Sequence, residues 1–316
     1  INVSNPPVAL SSRTNALDML RGVVTGATIS RELGAGSSPS IEVHGQRSIK
    51  SDNKNPLIVM DGVIYMGGWR DIDPSTIESL SVLKDATSLA AYGSQAANGV
   101  VMITTKRGKI GKPVISFDAS VAFSNKTLMP EYLSPEDFVR KTNEALDATD
   151  GNPQSWMKPN AYENYLAGRT TDWSDYVTRT GGTQNYSASV SGASEKMNYF
   201  LSLSHTDQKG IIYGDDYSRE ALMARLENDI TNWLQVGAQV NYTYNNYDGV
   251  TAGLQPYLSP YGQATRPNGE LEKYVMEEGA FAINPYWSTD KGGVVDDYER
   301  YSTTALKGHV LLKVPW

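Results

Sequence analysis

The sequence predicts a transmembrane β-barrel, antiparallel and incomplete, preceded by a small α+β domain. Three observations predict it. Between Pro56 and Gly108 the chain alternates strand, turn, short helix and buried strand. After Pro113 it changes to long segments in which apolar and polar residues alternate, the pattern of strands with one greasy and one wet face. Among the aromatics, 19 Tyr stand against 5 Phe, a preference for rings with a polar tip, as the girdles of outer-membrane barrels have.

The N-terminal elements follow from local chemistry. Leu57 to Met60 is an apolar run that stops at Asp61-Gly62, a dipeptide suited to a tight hairpin turn, before Val63-Ile64-Tyr65 resumes the strand pattern. Asp73-Pro74 ends an irregular loop, and Ile77, Leu80 and Leu83 form a short apolar stripe ahead of Lys84-Asp85. Ala-rich Ala86 to Ala91 then closes on Tyr92-Gly93, a helix with a glycine stop. The β-branched run from Gly99 to Lys106 reads as a buried strand of a small mixed sheet.

Beyond Pro113, strands are expected to start at Val114, Gln184, Lys196, Tyr217, Leu234 and Thr304, the last running to Val314. Ile115, Phe117, Ala119, Val121 and Phe123 share one face of the first. In the third, Met197, Tyr199, Leu201 and Leu203 alternate with Asn198, Ser202 and Ser204, and Phe200 interrupts the polar face as a candidate to pack inward. Leu222, Ala224 and Leu226 oppose Arg225 and Glu227, and Leu234 to Tyr244 alternates with Gln235, Gln239, Asn241 and Thr243. Ser134, with Pro135 behind it and acidic residues in the first turn, opens a helix; from there to about Gly182 the chain reads as a loop-like excursion. The turn Thr231–Trp233 is short, whereas Asp207–Asp216 and Asp248–Thr303 are longer, the two-rim asymmetry of such barrels. Six strands would leave two open edges, so the chain is expected to be a fragment of a longer barrel.

Three motifs in order, PLIVMDGV, DIDPSTIESLSVLKDA and AAYGSQAANGVVMITTKRG, resemble the plug domain of TonB-dependent outer-membrane transporters, in particular the SusC/RagA-like nutrient importers of Bacteroidetes. Ala16 to Ile29 and Ile41 to Ser48 resemble that family's opening helix and first plug strand, with His44 where the family usually has arginine; TQNYSASVSGASEKMNYFLSLSHTDQKGII resembles its corresponding strand pair. The resemblance implies a plug at 1–110 inside the lumen of a barrel begun by 111–316. It further implies active import of an oligosaccharide, or of oligopeptides, with work supplied by TonB through a segment ahead of Ile1, and a SusD-like surface lipoprotein over the mouth. A passive porin or structural surface barrel is the alternative from another class.

Within the plug, Arg47, Asp61, Lys84, Asp85 and Arg107 are expected to pair with one another or with the lumen wall. Gly62, Gly93 and Gly99 answer to turn geometry, and Asn98 completes this structural and gating set. For substrate contact the candidates are Tyr65, Trp69 and Arg70, since aromatic faces stack on sugar rings and arginine satisfies hydroxyls or carboxylates.

Other chemistries find little support. A net charge of −7 with no long basic block argues against nucleic acid, and no cysteine is present. The glycine loop at Gly34-Ala35-Gly36 lacks the residues of a phosphate loop. Ser81–Lys84 matches S-x-x-K and Ser51–Asn53 matches S-D-N, but in reversed order and without K-T-G, so no catalytic residue is assigned. His44, His205 and His309 lie far apart, so neither a metal nor a cofactor is expected. No apolar run is long enough for a membrane-spanning helix.

Overall fold

The computed structural model describes residues 2–4, 15–21, 24, 27–30, 34–37, 40–43, 55–127, 133–146, 151–248, 251–253, 255, 258–266, 268–275, 283–292 and 298–313. The N-terminal part holds strands β1 (Asn2–Ser4), β2 (Ala27–Ile29), β3 (Ile41–Val43), β4 (Leu57–Met60), β5 (Val63–Ile64) and β6 (Ile77–Leu83), helix α1 (Ala86–Leu89) and strand β7 (Val100–Thr105). Five of the strands form a mixed sheet ordered β1-β6-β7-β4-β5, with β7 parallel to β4 and antiparallel to β6; β2 and β3 form a separate hairpin.

The turn at Asp61-Gly62 has φ of 49° and 81°, positive at both central residues as a two-residue type I′ hairpin requires. Behind the sheet, Leu17, Leu20, Ile41, Trp69, Ile72, Ile77, Leu80 and Ile103 pack into the core. The opening segment is tighter than the expected helix. Among the described residues of this segment only Ala16–Leu20 is helical, as a 3₁₀ turn capped by the Asn15 side chain, and β2 occupies 27–29. After α1, a 3₁₀ stretch at Ala90–Ala96 breaks at Gly93, whose φ of 63° no helix permits.

The remaining strands are β8 (Val114–Ser124), β9 (Gly181–Ala193), β10 (Met197–Lys209), β11 (Asp216–Asp229), β12 (Leu234–Asp248) and β13 (Tyr298–Leu312), with helices α2 (Pro135–Ala145), α3 (Pro159–Leu166) and α4 (Trp173–Val177) between β8 and β9. Each strand pairs antiparallel with its neighbour in sequence, giving a six-stranded meander bounded by β8 and β13. Its outer face is apolar and bare: Ile115 is 81% exposed, Phe123 77% and Leu306 75%. The opposite face is polar and covered, with Ser202, Thr206, Arg219, Arg225, Gln239, Thr243 and Asn245 all buried. A soluble protein reverses that arrangement; a barrel wall with lipid outside and a filled lumen requires it. Phe200, the apolar residue on the wet face, is buried there. No helix among the described residues is long and apolar enough to cross a membrane.

Two details differ from expectation. The last strand begins at Tyr298, six residues early, because alternation continues through Tyr301 and Thr303 where polar side chains had hidden it. The connection before β11 is confined to 210–215, since β10 and β11 stay paired out to Lys209↔Asp216. The described parts of the long connections are tied down by specific contacts. Ser134 caps α2 by accepting from the Asp137 amide. Trp173 Nε1 donates to the Ser259 carbonyl at 2.7 Å, and the Tyr213 amide donates to the Val177 carbonyl at 2.9 Å. Lys291 Nζ lies 3.9 Å from the Tyr213 ring centre and 4.2 Å from that of Tyr286, a cation–π clasp.

Candidate functional site

The wet face of β10, β11 and β12 is occupied by the N-terminal unit, and the contacts form a polar seam running the height of the wall. At the end with the short turns, Gly108 is gripped by Asn198: its amide donates to Oδ1 at 3.1 Å and its carbonyl accepts from Nδ2 at 2.6 Å. Beside it Arg107 meets Glu227 at 3.6 Å.

Higher up sits Asp61, presented by the β4–β5 turn. Its carboxylate lies 2.6 Å from Arg225 Nη2, with both side chains almost wholly removed from solvent. It also accepts from the Thr105 amide (3.0 Å), Thr105 Oγ1 (2.7 Å) and Gln239 Nε2 (3.1 Å), while Lys307 reaches the Asp61 carbonyl. Arg225 is further held by Gln239 Oε1. Burial alone would raise the Asp61 pKa; the Thr105 hydrogen bonds, the Arg225 charge and Gln239 outweigh it and hold the carboxyl below its ordinary value.

Above this, the irregular segment after β5 docks through its backbone as much as its side chains. Thr243 Oγ1 donates to the Asp71 carbonyl (2.8 Å), Asn245 Nδ2 to the Asp71 carboxylate (2.9 Å) and Arg219 Nη1 to the Arg70 carbonyl (3.2 Å). The Asp73 carboxylate accepts from the Ser75 amide and hydroxyl and from Ser204 Oγ at 2.6 Å, with Arg219 3.9 Å away.

At the loop rim, the glycine loop closes the seam. The Ala35 amide points at both oxygens of Asp215 (2.8 Å each), and the Gly36 amide donates to Gln208 at 3.1 Å. Gly34 and Gly36 have φ of 133° and 62°, and a Cβ on Gly36 would sit 2.3 Å from the Tyr217 ring, so only glycine admits this approach. Among the described residues no cation pairs with the Asp215 carboxylate. Burial is the main cause that raises its pKa; the Ala35 amide opposes this, the neighbouring Asp216 adds to it, and Arg179 opposes it more weakly.

Of the residues singled out from sequence, the seam brings together Asp61 and Arg107, while Gly62, beside Asp61 in the turn, is exposed. Lys84 lies half-buried at the end of β6, Asp85 is exposed with its carbonyl receiving the Ser88 and Leu89 amides, and Asn98 and Gly99 form the turn into β7, Gly99 at φ 96°. Arg47 lies outside the described residues. Tyr65 packs at the edge of the core, and burial raises its phenol pKa. Arg70 lies over the Tyr247 ring at 5.6 Å. Trp69 differs from expectation: it is 4% exposed, its ring fills the core beneath this loop, and it supports Arg70 rather than facing the lumen. Sequence reading passed over Arg219 and Asn245, and the Asp215-Asp216 pair reads from sequence as solvated loop charge, whereas Asp215 is buried. The available signal was parity, because Arg219 and Arg225 fall on the same inward side of β11.

A filled, polar-lined lumen behind an apolar outer face defines a plugged outer-membrane barrel wall. Comparison with known proteins agrees. Residues 7–100 match the family model described as TonB-dependent Receptor Plug Domain. The chain is 34% identical over 216 residues to the TonB-dependent receptor SusC of Bacteroides thetaiotaomicron, covering 65% of this chain and 20% of that protein. It is 30% identical over 249 residues to a TonB-dependent receptor of Formosa agariphila, covering 77% and 24%. In structure it resembles the RagAB peptide importer in its open-open state, with a TM-score of 0.78 at 23% identity over 100% of this chain and 38% of that one. The chain thus spans about a fifth to a quarter of the length of the curated relatives it matches. It belongs to the SusC/RagA-like TonB-dependent receptors, which are outer-membrane proteins.

Proposed function

We propose that this chain supplies the plug, residues 1–110, and the first wall strands, within 111–316, of an active importer that takes an oligosaccharide across the bacterial outer membrane. TonB does the work, and a SusD-like lipoprotein lids the mouth. The chain performs no catalysis in this reading. Tyr65 and Arg70, backed by Trp69, meet the substrate, while Asp61, Gly62, Lys84, Asp85, Gly93, Asn98 and Gly99, with Arg47, hold the plug's gating frame. The carrying observation is the seam: the plug is held against the wet face of the wall by hydrogen bonds and a buried ion pair, polar contacts that water can replace when the plug moves. Oligopeptide cargo is the second reading, favoured by the structural likeness to a peptide importer.

This chain lacks cysteine, so an engineered pair meets no competing thiol within it. In the full-length protein, Ala35→Cys with Asp215→Cys should form a disulfide at the loop rim. Energised cells carrying the oxidised form should lose uptake and regain it on reduction. Undiminished uptake by the oxidised form would show that the plug need not move there, and uptake that persists after the proton gradient is collapsed would favour a passive pore.

A further inference from the structure

The seam's arginines divide into two kinds. Arg225, Arg107 and Arg219 each face a carboxylate, at 2.6, 3.6 and 3.9 Å respectively. Arg70 meets none within 4 Å among the described residues. Its guanidinium lies over the Tyr247 ring, the Tyr301 hydroxyl is its hydrogen-bond neighbour, and its buried Nε has no partner. The carboxylates nearest in sequence are engaged elsewhere. Asp71 is taken by the Gly68 amide and Asn245, and Asp73 by Ser75, Ser204 and Arg219. Arg70 is also held by its backbone, since its carbonyl accepts from Arg219 and the preceding Trp69 is locked in the core. Tyr65, Arg70, Tyr247 and Tyr301 are each only partly buried by the described residues of this chain.

A planar cation laid on an aromatic face, fixed in place and lacking a counter-ion, is arranged to receive a planar anion through its free edge. We infer that Arg70, with Tyr247 and Tyr301 of the wall, forms a subsite for a carboxylate group of the cargo, which makes the preferred substrate an acidic one. The inference rests on the importer reading only in calling that ligand cargo. A guanidinium can give a carboxylate two parallel N–H bonds, while tyrosine rings take the adjoining apolar faces of a sugar or peptide. A carboxylate arrives on either an acidic oligosaccharide or an acidic peptide, and the test separates them.

The experiment is arginine modification by phenylglyoxal on the purified full-length protein, read by peptide mass spectrometry. Arg70 should react several-fold faster than the buried Arg219 and Arg225. Oligogalacturonate or oligoglutamate, whichever is the true source, should protect it several-fold, whereas the fully methyl-esterified oligogalacturonate and a neutral peptide of equal length should not. Direct binding of the protecting anion should fall on the order of tenfold to a hundredfold in Arg70→Gln and be largely kept in Arg70→Lys, which retains the charge. Unreactive Arg70, equal protection by charged and neutral ligands, or protection by none would each overturn the inference. Energised uptake of the protecting ligand is measured separately: protection without uptake leaves the subsite standing and removes the importer reading, and uptake without protection does the reverse.

Discussion

Asp61 and Asp215 are both carboxylates sunk in the seam between plug and wall, and they solve the same problem in opposite ways. Asp61 has a guanidinium at 2.6 Å and hydrogen bonds from Thr105 and Gln239, and its pKa is lowered. Asp215 has backbone amide from Ala35 and no paired cation, and its pKa is raised. Desolvation acts on both; only Asp61 receives enough compensation to outweigh it. The difference teaches where the plug is fixed and where it is lightly clasped. The mid-height anchor is an ion pair that resists separation, while the rim contact depends on a glycine loop's close approach to a carboxylate that gains little from being charged.

Removing Arg225 should break this contrast most severely. Arg225→Met strands the Asp61 charge, at a cost of about 3–5 kcal/mol, seen as a lower denaturant midpoint for the full-length protein in detergent; adding Asp61→Leu should recover much of it, because the unpaired charge is then gone. A double variant no better than the single would mean the pair contributes packing rather than charge. At the rim, Gly36→Ala forces a side chain into positive φ and against Tyr217 and should cost about 2 kcal/mol. Its effect should be local: amide exchange quickens at Ala35 and Gly36 while the amides of β7 keep their protection.

How much of this was readable beforehand depended on distance along the chain. The Asp61-Gly62 turn, the β7 strand and the outward parity of Leu222, Ala224 and Leu226 are set by neighbours within a few residues, and the sequence displays them. The opening segment misled because Ala16 to Leu20 has helical spacing, yet Gly22 and Gly26 follow and strand β2 takes over at Ala27. The seam was least visible. Gln239 meets Asp61 across 178 residues and Asp215 meets Ala35 across 180, and no local pattern encodes such a partner. Arg225 advertised its face, but not what it would face.

Finer probes sharpen the comparison. Thr105→Val deletes the hydroxyl bond to Asp61 while keeping the shape, and should cost about 1.5 kcal/mol; a neutral result would leave Arg225, Gln239 and the Thr105 amide as the supports of the charge. The smallest effect is the pH dependence. Because the folded pKa of Asp61 is lowered, its stabilisation is complete above the unfolded carboxyl value and is lost as pH falls through the folded one. Asp215, raised, contributes stability below its unfolded value that is lost as pH rises through its folded one. Melting temperatures of Asp61→Asn and Asp215→Asn, each subtracted from the parent across the acid range, should therefore slope in opposite directions, and parallel slopes would contradict the assignment.

The grip on Gly108 has a geometric consequence. Asn198 holds that residue by both its amide and its carbonyl, and a Cβ there would lie 2.1 Å from the Gly192 carbonyl oxygen, so the chain passes from plug to wall through a pinned joint with no slack. From Asn198 to Gln208, which meets the glycine loop, the seam rises ten residues along β10, roughly 33 Å at the usual strand rise. A swing of about 10° at the joint thus carries the far end through about 6 Å, wider than any of the hydrogen bonds that clasp it. On the importer reading, the joint at Gly108 would move least and the glycine loop at the rim furthest.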